Sequence, residues 1–375
     1  MTTNGVLPSR EVTPAPRPRR RRRVLRAVVF VVVGTLLLVV ISVGRALTAP
    51  GTDSAAARLA EWARSHGLSS VVDQLERATY RPPAVGGVPG KSSPLSAGPP
   101  AVPQQHAALR PLVPLASPAL PAEGAWHVLA TVGGRPALQA AYLRPDAVHT
   151  SYTAAVAWMD TSLLRFVLHP GTQEPGGGRW PVPPSLTPAE RPGLVGAFNG
   201  GFRLDAARGG FFEGGRTAGT LRRGAASLVI TADGRATVGQ WGRDVGPGAD
   251  VVAVRQNLDL LVDGGTVVPG LDANVKGRWG ATLGNQLYVW RSGAGVTASG
   301  ALVYVAGNRL SASTLAELLR RAGAVRAMEL DINPEWTSFV TYPATKNLLP
   351  DMQKTPRRYD TTSTRDFVAV LKRTP

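Results

Sequence analysis

Glu329, Asp331, Asn333 and Glu335 fall two apart in the stretch VRAMELDINPEWTSFVTY, Val325–Tyr342. On a strand, Glu329 and Asp331 point to one face, with Cα atoms about 6.6 Å apart. Carboxylates crowded at a strand end suit general acid–base chemistry, because burial and mutual repulsion drive their pKa values apart. Asp331 is the candidate essential carboxylate, and Glu329 or Glu335 the second acid that a two-carboxylate mechanism requires. The plainer reading is a surface turn whose acids meet some of the chain's many arginines.

Three further stretches carry chemical interest. In AFNGGFRL, Ala197–Leu204, Asn199 offers an amide that donates and accepts, and Gly200 and Gly201 offer backbone N–H groups able to approach a ligand closely. The plainer reading there is an Asn-Gly turn. Gly209–Gly215, GGFFEGG, reads as a flexible flap with aromatic residues for stacking. In GRWGATLG, Gly277–Gly284, Arg278 could clamp an anion such as phosphate, with the Trp279 indole open to a sugar. Trp336, in the acidic turn, is a further substrate-binding candidate.

Other chemistries are poorly supported. Asp331-x-Asn333-x-Glu335 alternates like a calcium loop, but glycine is missing at the sixth position and Tyr342 stands where the bidentate acid belongs. No cofactor is expected, and a structural calcium ion is the one cation this alternation suggests. The five histidines show no metal-ligand spacing, and there is no cysteine. No P-loop, dinucleotide fingerprint or Gly-x-Ser-x-Gly elbow occurs. Net charge is +17, divided into +9 over residues 1–125 and +8 over 126–375. The basic residues of the larger part are scattered rather than striped, and no nucleic-acid motif is present, so no nucleic-acid partner is expected.

The elements that must position these residues begin with an anchor. Arg17, Arg19–Arg23 and Arg26 precede the uncharged run Ala27–Gly44. A spanning helix needs ~20 apolar residues, and arginines on one side place the N-terminus in the cytoplasm. Residues 1–26 are therefore expected as a cytoplasmic segment and 27–47 as a signal-anchor helix. Everything after it is extracytoplasmic. Cleavage after Ala49 and twin-arginine export are the rival readings, and both deliver the chain to the same side. Residues 48–80 read as a helical hairpin, capped at Asp53 or Ser54 and again at Ser69 or Ser70. Rich in Pro, Ala, Gly and Ser, residues 81–122 read as an extended linker.

Residues 123–375 read as one domain of short strands with glycine punctuation. Hairpins are expected at Gly133-Gly134, Asp233-Gly234 and Asp263-Gly264-Gly265. One helix, 313–322, carries Leu315, Ala316, Leu318 and Leu319 at helical spacing and stops at Gly323. The acidic strand follows. Many strands and one late helix predict an α+β class, a large mixed β-sheet with few helices behind one transmembrane helix.

The order of these stretches resembles the phosphodiester glycosidase family, that is, N-acetylglucosamine-1-phosphodiester alpha-N-acetylglucosaminidase-like domains, over about residues 190–342. Asn199-Gly200-Gly201-Phe202 looks like the family's Asn-Gly-Gly-Phe. Arg278 up to Gly284 looks like its middle arginine and glycine-closed strand. Leu315–Ala322 followed by Leu330-Asp331 is similar to its leucine-rich helix and Leu-Asp segment. After Asp331 the chain departs from the family's glycines and serine, with Ile332-Asn333-Pro334-Glu335-Trp336. The resemblance implies an extracytoplasmic glycosidase acting on a sugar-1-phosphodiester or related envelope glycan. Asp331 would be the key acid, Arg278 the phosphate binder, and Asn199–Gly201 the holder of charge or sugar hydroxyls. The departure supports the alternative, a non-catalytic wall-glycan binding module on the same fold.

Overall fold

A computed structural model describes residues 19–96, 109–176, 178–274, 277–280 and 286–373. The chain divides into two units, Met1–Ala49 and Pro50–Pro375. In the first, α1 (Arg19–Leu47) is a 29-residue helix. Its part Arg23–Leu47, with a mean hydropathy of 2.9 in its most apolar stretch, is long and apolar enough to cross a membrane. Such a helix at an N-terminus fits a membrane anchor or an export signal. Its apolar side chains are exposed, Phe30 at 77% and Leu38 at 69%.

The second unit opens with the expected hairpin, α2 (Ala55–Ser65) and α3 (Ser69–Thr79). Ser54 caps α2, its hydroxyl oxygen accepting from Ala57 N at 3.1 Å. The strands follow: β1 (His127–Val132), β2 (Arg135–Leu143), β3 (Ala154–Met159), β4 (Leu164–His169) and β5 (Leu194–Asn199). A single turn, α4 (Leu204–Ala207), leads to β6 (Phe211–Glu213) and β7 (Arg216–Ala218). Next come β8 (Ala226–Thr231), β9 (Ala236–Gln240), β10 (Val251–Gln256), β11 (Leu260–Asp263) and β12 (Thr266–Val267). Then come β13 (Val289–Thr297), β14 (Leu302–Leu310), α5 (Ala312–Arg321) and β15 (Ala324–Glu329). The chain closes with β16 (Phe339–Thr341), β17 (Lys346–Asn347) and β18 (Phe367–Lys372).

The α+β class holds, but the single large mixed sheet does not. Among the described residues there are three sheets, ordered β1-β2-β3-β14-β13-β15-β11-β12, β7-β6-β10-β8-β9 and β17-β16-β5-β18-β4. Every ladder is antiparallel. The late helix suggests a parallel pair because helical crossovers join parallel strands. Here α5 joins β14 to β15, which run parallel but flank β13, and β13 pairs antiparallel with both. The crossover thus spans one intervening strand.

The eight-stranded sheet is buried on both faces. One face, with Leu138, Met159, Tyr304 and Met328, meets the two smaller sheets through Phe166, Phe198, Phe339, Phe211 and Leu228. The other face packs under α5 through Leu315, Leu318 and Leu319, with Leu143, Val156, Leu261 and Val303 opposite. Gly323 has φ +94°, the left-handed stop expected after α5. At the other end, Ser311 Oγ accepts from Thr314 N at 3.1 Å. Ser311→Ala is expected to cost about 1 kcal/mol. A thermal melt checks this, and an unchanged midpoint would contradict it.

Two expectations are revised. Residues 81–122 differ from a free linker at both described ends. Leu95 and Leu112 are buried, Gly86 N donates to Val148 O at 2.7 Å, and Arg144 holds Glu123 at 2.7 Å. Gly209–Gly215 is not a flap. Phe211 is fully buried against Trp180, and β6 and β7 form a hairpin turning at Gly214-Gly215. Residues 281–284 of the Gly277–Gly284 stretch lie outside the described residues, as do residues 1–18 and 97–108.

Candidate functional site

Asp331 follows β15, where the chain leaves the eight-stranded sheet. Its backbone stays in register: Ser292 N donates to Asp331 O at 2.8 Å, and Asp331 N donates to Ser292 Oγ at 3.2 Å. The side chain is 3% exposed. Burial pushes its pKa up to about 7, although Arg365 and the backbone N–H groups of Asn333 and Ile332 pull it down. Asp331 Oδ1 accepts from Asn333 N and Asn333 Oδ1 from Glu335 N, each at 2.9 Å. Two Asx turns in series thus explain the calcium-like alternation locally.

Strand ends from all three sheets meet here. Asn199, at the end of β5, is fully bonded within the protein. Its Nδ2 donates to Gly200 O at 2.9 Å and to Ser292 Oγ at 3.0 Å. Its Oδ1 accepts from Tyr304 OH at 2.9 Å and from Ser338 N at 3.1 Å. The amide is thereby a tie between sheets, with Ser292 linking it to Asp331.

Gly200 and Gly201 do allow a close approach, but to a buried ion pair. A Cβ on Gly200 would overlap Asp366 Oδ2, and one on Gly201 would come within 2.9 Å of Arg255 Cζ. Arg255 Nε donates to Asp366 Oδ2 at 2.8 Å, and both side chains are wholly buried. Arg255 Nη2 also donates to Phe202 O. Asn257, just past β10, accepts from Phe202 N at 3.2 Å and donates to Leu330 O at 2.9 Å. It therefore joins the glycine turn to the chain entering Asp331.

The other candidates are placed as follows. Glu329 is wholly buried against Arg291, whose Nη1 lies 2.6 Å from its Oε1. Burial raises its pKa and the Arg291 charge opposes this. Glu335 is held by Lys354 Nζ at 2.5 Å and by the Ser54 hydroxyl at 2.9 Å. Arg278 is half exposed, pairs with Asp259 at 2.9 Å and lies over the Trp279 ring at 4.6 Å. The Trp279 indole is not open to a sugar: it is 2% exposed and its Nε1 donates to Leu260 O at 3.1 Å. Even so, its loop reaches the site, because a Cβ on Gly280 would lie 2.8 Å from Phe202 and 3.4 Å from Ile332. Trp336 is 3% exposed, with Arg365, Lys354 and Arg358 placed 4.7, 5.3 and 5.7 Å from its ring centre.

Sequence reasoning missed the residues that give this place its charge. Arg203 lies just after the Asn-Gly-Gly-Phe turn, within a stretch the spacing flagged. Arg365 precedes β18 and has no sequence signal. Glu174 is 14% exposed, 3.6 Å from Arg203, and accepts from Leu204 N at 3.1 Å. Burial raises its pKa, while the Leu204 N–H and Arg365 oppose the rise. The helical hairpin also arrives here. Glu61 on α2 contacts Arg203 at 2.7 Å and Arg365 at 3.5 Å, and Asp53 contacts Lys354 at 3.2 Å. The hairpin thus packs on the domain. A cavity of ~210 Å³ beside Arg165, Glu213 and Asp233 lies elsewhere, and none of the candidate residues lines it.

Fold and site together define an α+β domain of three described sheets, with the buried acid Asp331 near Arg365 where strand ends meet. No protein-family model matches the chain, and no curated protein matches its sequence. The catalytic domain of zebrafish N-acetylglucosamine-1-phosphodiester alpha-N-acetylglucosaminidase, solved auto-inhibited by its pro-peptide, is similar at 14% identity and a TM-score of 0.42. That match covers 66% of this chain and 88% of the zebrafish one. A hypothetical protein from Synechocystis is similar at 14% identity and a TM-score of 0.37, over 65% of this chain and 63% of its own. Overlaps this loose show no function.

Proposed function

We propose that the protein is a membrane-anchored, extracytoplasmic hydrolase that cleaves the glycosidic bond of a sugar-1-phosphodiester or related cell-envelope glycan. One observation carries the reading: Asp331 is a buried acid whose pKa is raised to about 7, within electrostatic reach of Arg365. An acid so poised holds its proton near neutral pH and can give it to a leaving oxygen. The neighbouring guanidinium groups suit the negative charge of a phosphodiester. Glu329 and Glu335 are held by cations at 2.6 and 2.5 Å, whereas Glu174 meets Arg203 only at 3.6 Å, so Glu174 is the better second carboxylate. It is half-buried, feels Arg365 and has a raised pKa.

The alternative is a glycan-binding module without catalysis. It is favoured by Glu335, which Lys354 and Ser54 hold rather than leave free to act as an acid. The test is sugar release from a panel of sugar-1-phosphodiesters and cell-wall glycans by the full-length protein in detergent. Release that disappears in Asp331→Asn supports the hydrolase. Glycan binding by both proteins with no release from any substrate supports the binding module.

A further inference from the structure

We infer that Arg203 and Arg365 form an anion subsite for a phosphodiester group, and that the Glu61 carboxylate of α2 fills it in the docked state. This deepens the proposed function and rests on that reading only for the identity of the anion.

Glu61 is the one acid of α2, and besides Arg64 of its own helix, at 3.7 Å, its two oxygens meet two guanidinium groups of the domain. Oε2 lies 2.7 Å from Arg203 Nη1, and Oε1 lies 3.5 Å from Arg365 Nη2. Arg203 belongs to the turn after β5 and Arg365 to the approach to β18. The two arginines therefore lie at the same end of one antiparallel strand pair, where Asn199 faces Phe367. Two arginine forks arranged this way match an oxyanion better than a point charge does.

The match to a carboxylate is incomplete. Arg365 is 8% exposed, and its Nη1 is buried without a hydrogen-bond partner. A buried, unpaired donor on a cation is costly. Glu61 has lone pairs to spare, but in this position it presents no acceptor to that donor. A phosphodiester carries two charged oxygens and two ester oxygens, and so can supply one. The aromatic face of Trp336, 4.7 Å from Arg365, fixes the plane of the guanidinium.

Polar contacts tie the hairpin to the domain. Asp53 bonds Thr364 Oγ1 at 2.5 Å and Lys354 at 3.2 Å, and Ser54 donates to Glu335 at 2.9 Å. None of the α2 side chains is fully buried. The Glu61–Arg203 pair is partly exposed, at 17% and 28%, so it contributes little and weakens with salt, and a competing anion can take its place. Substrate and α2 then compete for the same two arginines.

The test measures binding of inorganic phosphate and of dimethyl phosphate to the full-length protein by calorimetry in detergent. Glu61→Gln is expected to bind both at least tenfold more tightly than the wild type. Arg203→Gln in the Glu61→Gln background is expected to abolish that gain, and so is Arg365→Lys, with melting temperatures confirming the fold. Arg203 is 28% exposed at its side chain, so its replacement leaves the core untouched. Equal affinity in Glu61→Gln and wild type would overturn the inference, as would tight binding that survives loss of Arg203. The outcomes separate from those of the hydrolase reading. Phosphate binding of the expected pattern without sugar release keeps the subsite and removes the enzyme. Sugar release with KM unchanged in Glu61→Gln keeps the enzyme and removes the subsite.

Discussion

Asp331→Asn is expected to abolish sugar release and to raise the melting temperature above pH 7. The acid has a folded pKa of about 7 against an ordinary value of 3.8, because burial disfavours its charge. A raised pKa means that the native state binds the proton more tightly than the unfolded chain does. Below pH ~4 both states are protonated and the group is neutral for stability. As pH rises through 7 the native state must either hold the proton against solution or bury a charge, and stability falls. The loss levels off above pH 7 at on the order of 4 kcal/mol, from about three pKa units at 1.36 kcal/mol each.

Asparagine cannot ionise and retains the oxygen that accepts from Asn333 N. The advantage of Asp331→Asn over wild type should therefore be absent at pH 4, grow between pH 4 and 7, and stay level beyond. Catalysis should move the opposite way. Proton donation by a positioned acid is worth ~10²–10⁴-fold, so the variant loses at least that much, and wild-type activity falls as pH passes 7. Melts at four pH values and a pH–rate profile check both limbs. A stability difference that does not vary with pH would show that Asp331 is ionised by a partner, and the acid assignment would fall. A buried site held at a cost to stability is common where function needs strain.

Asp366→Asn is expected to destabilise the fold by 3–5 kcal/mol, the cost of leaving a buried charge without its partner. Arg255 and Asp366 are both wholly buried and lie under the Asn199–Gly201 turn. Without the carboxylate, Arg255 keeps only the carbonyls of Phe202 and Gln256. Gly200→Ala should act in the same direction, because the new methyl group must displace Asp366. The informative partner is the double variant Arg255→Met, Asp366→Leu. Replacing a whole buried pair by apolar groups is often close to neutral, so most of the loss should return. Denaturant midpoints of the three variants decide this. A double variant as unstable as Asp366→Asn would mean that the carbonyl contacts of Arg255, rather than the pair, hold the turn.

How far the sequence could be read varied by element. The α5 helix, its Gly323 stop, and the hairpins at Gly133-Gly134 and Asp233-Gly234 all stand where periodicity and turn chemistry put them. The strand β13 is poorly legible in the sequence. Its second half, Gly293–Thr297, looks loop-like because glycines interrupt it, yet it is the strand under α5. A Cβ on Gly293 would come 2.9 Å from Leu319 and 3.3 Å from Leu315, so small residues make room for the helix there. The glycines after Asn199 were noticed for the right property and given the wrong neighbour. Arg278 and Trp279 were singled out as an exposed clamp, whereas the indole belongs to the core beneath α5.

The sequence by itself determined the apolar N-terminal helix, the α+β class, the late helix and the acidic strand end that carries Asp331. These depend on residues within a few positions of one another, where helical and strand periods, caps and turns act. Only the tertiary structure decided the number of sheets and the charge partners of Asp331. It also decided the role of Asn199 as a tie and the arrival of Glu61 on Arg203 and Arg365. Glu61 and Arg365 stand far apart in the chain, and an exposed charge on a helix says nothing of its partner. Which cation an acid meets follows from how sheets stack and where a hairpin lands, and burial then sets the pKa that makes the acid useful.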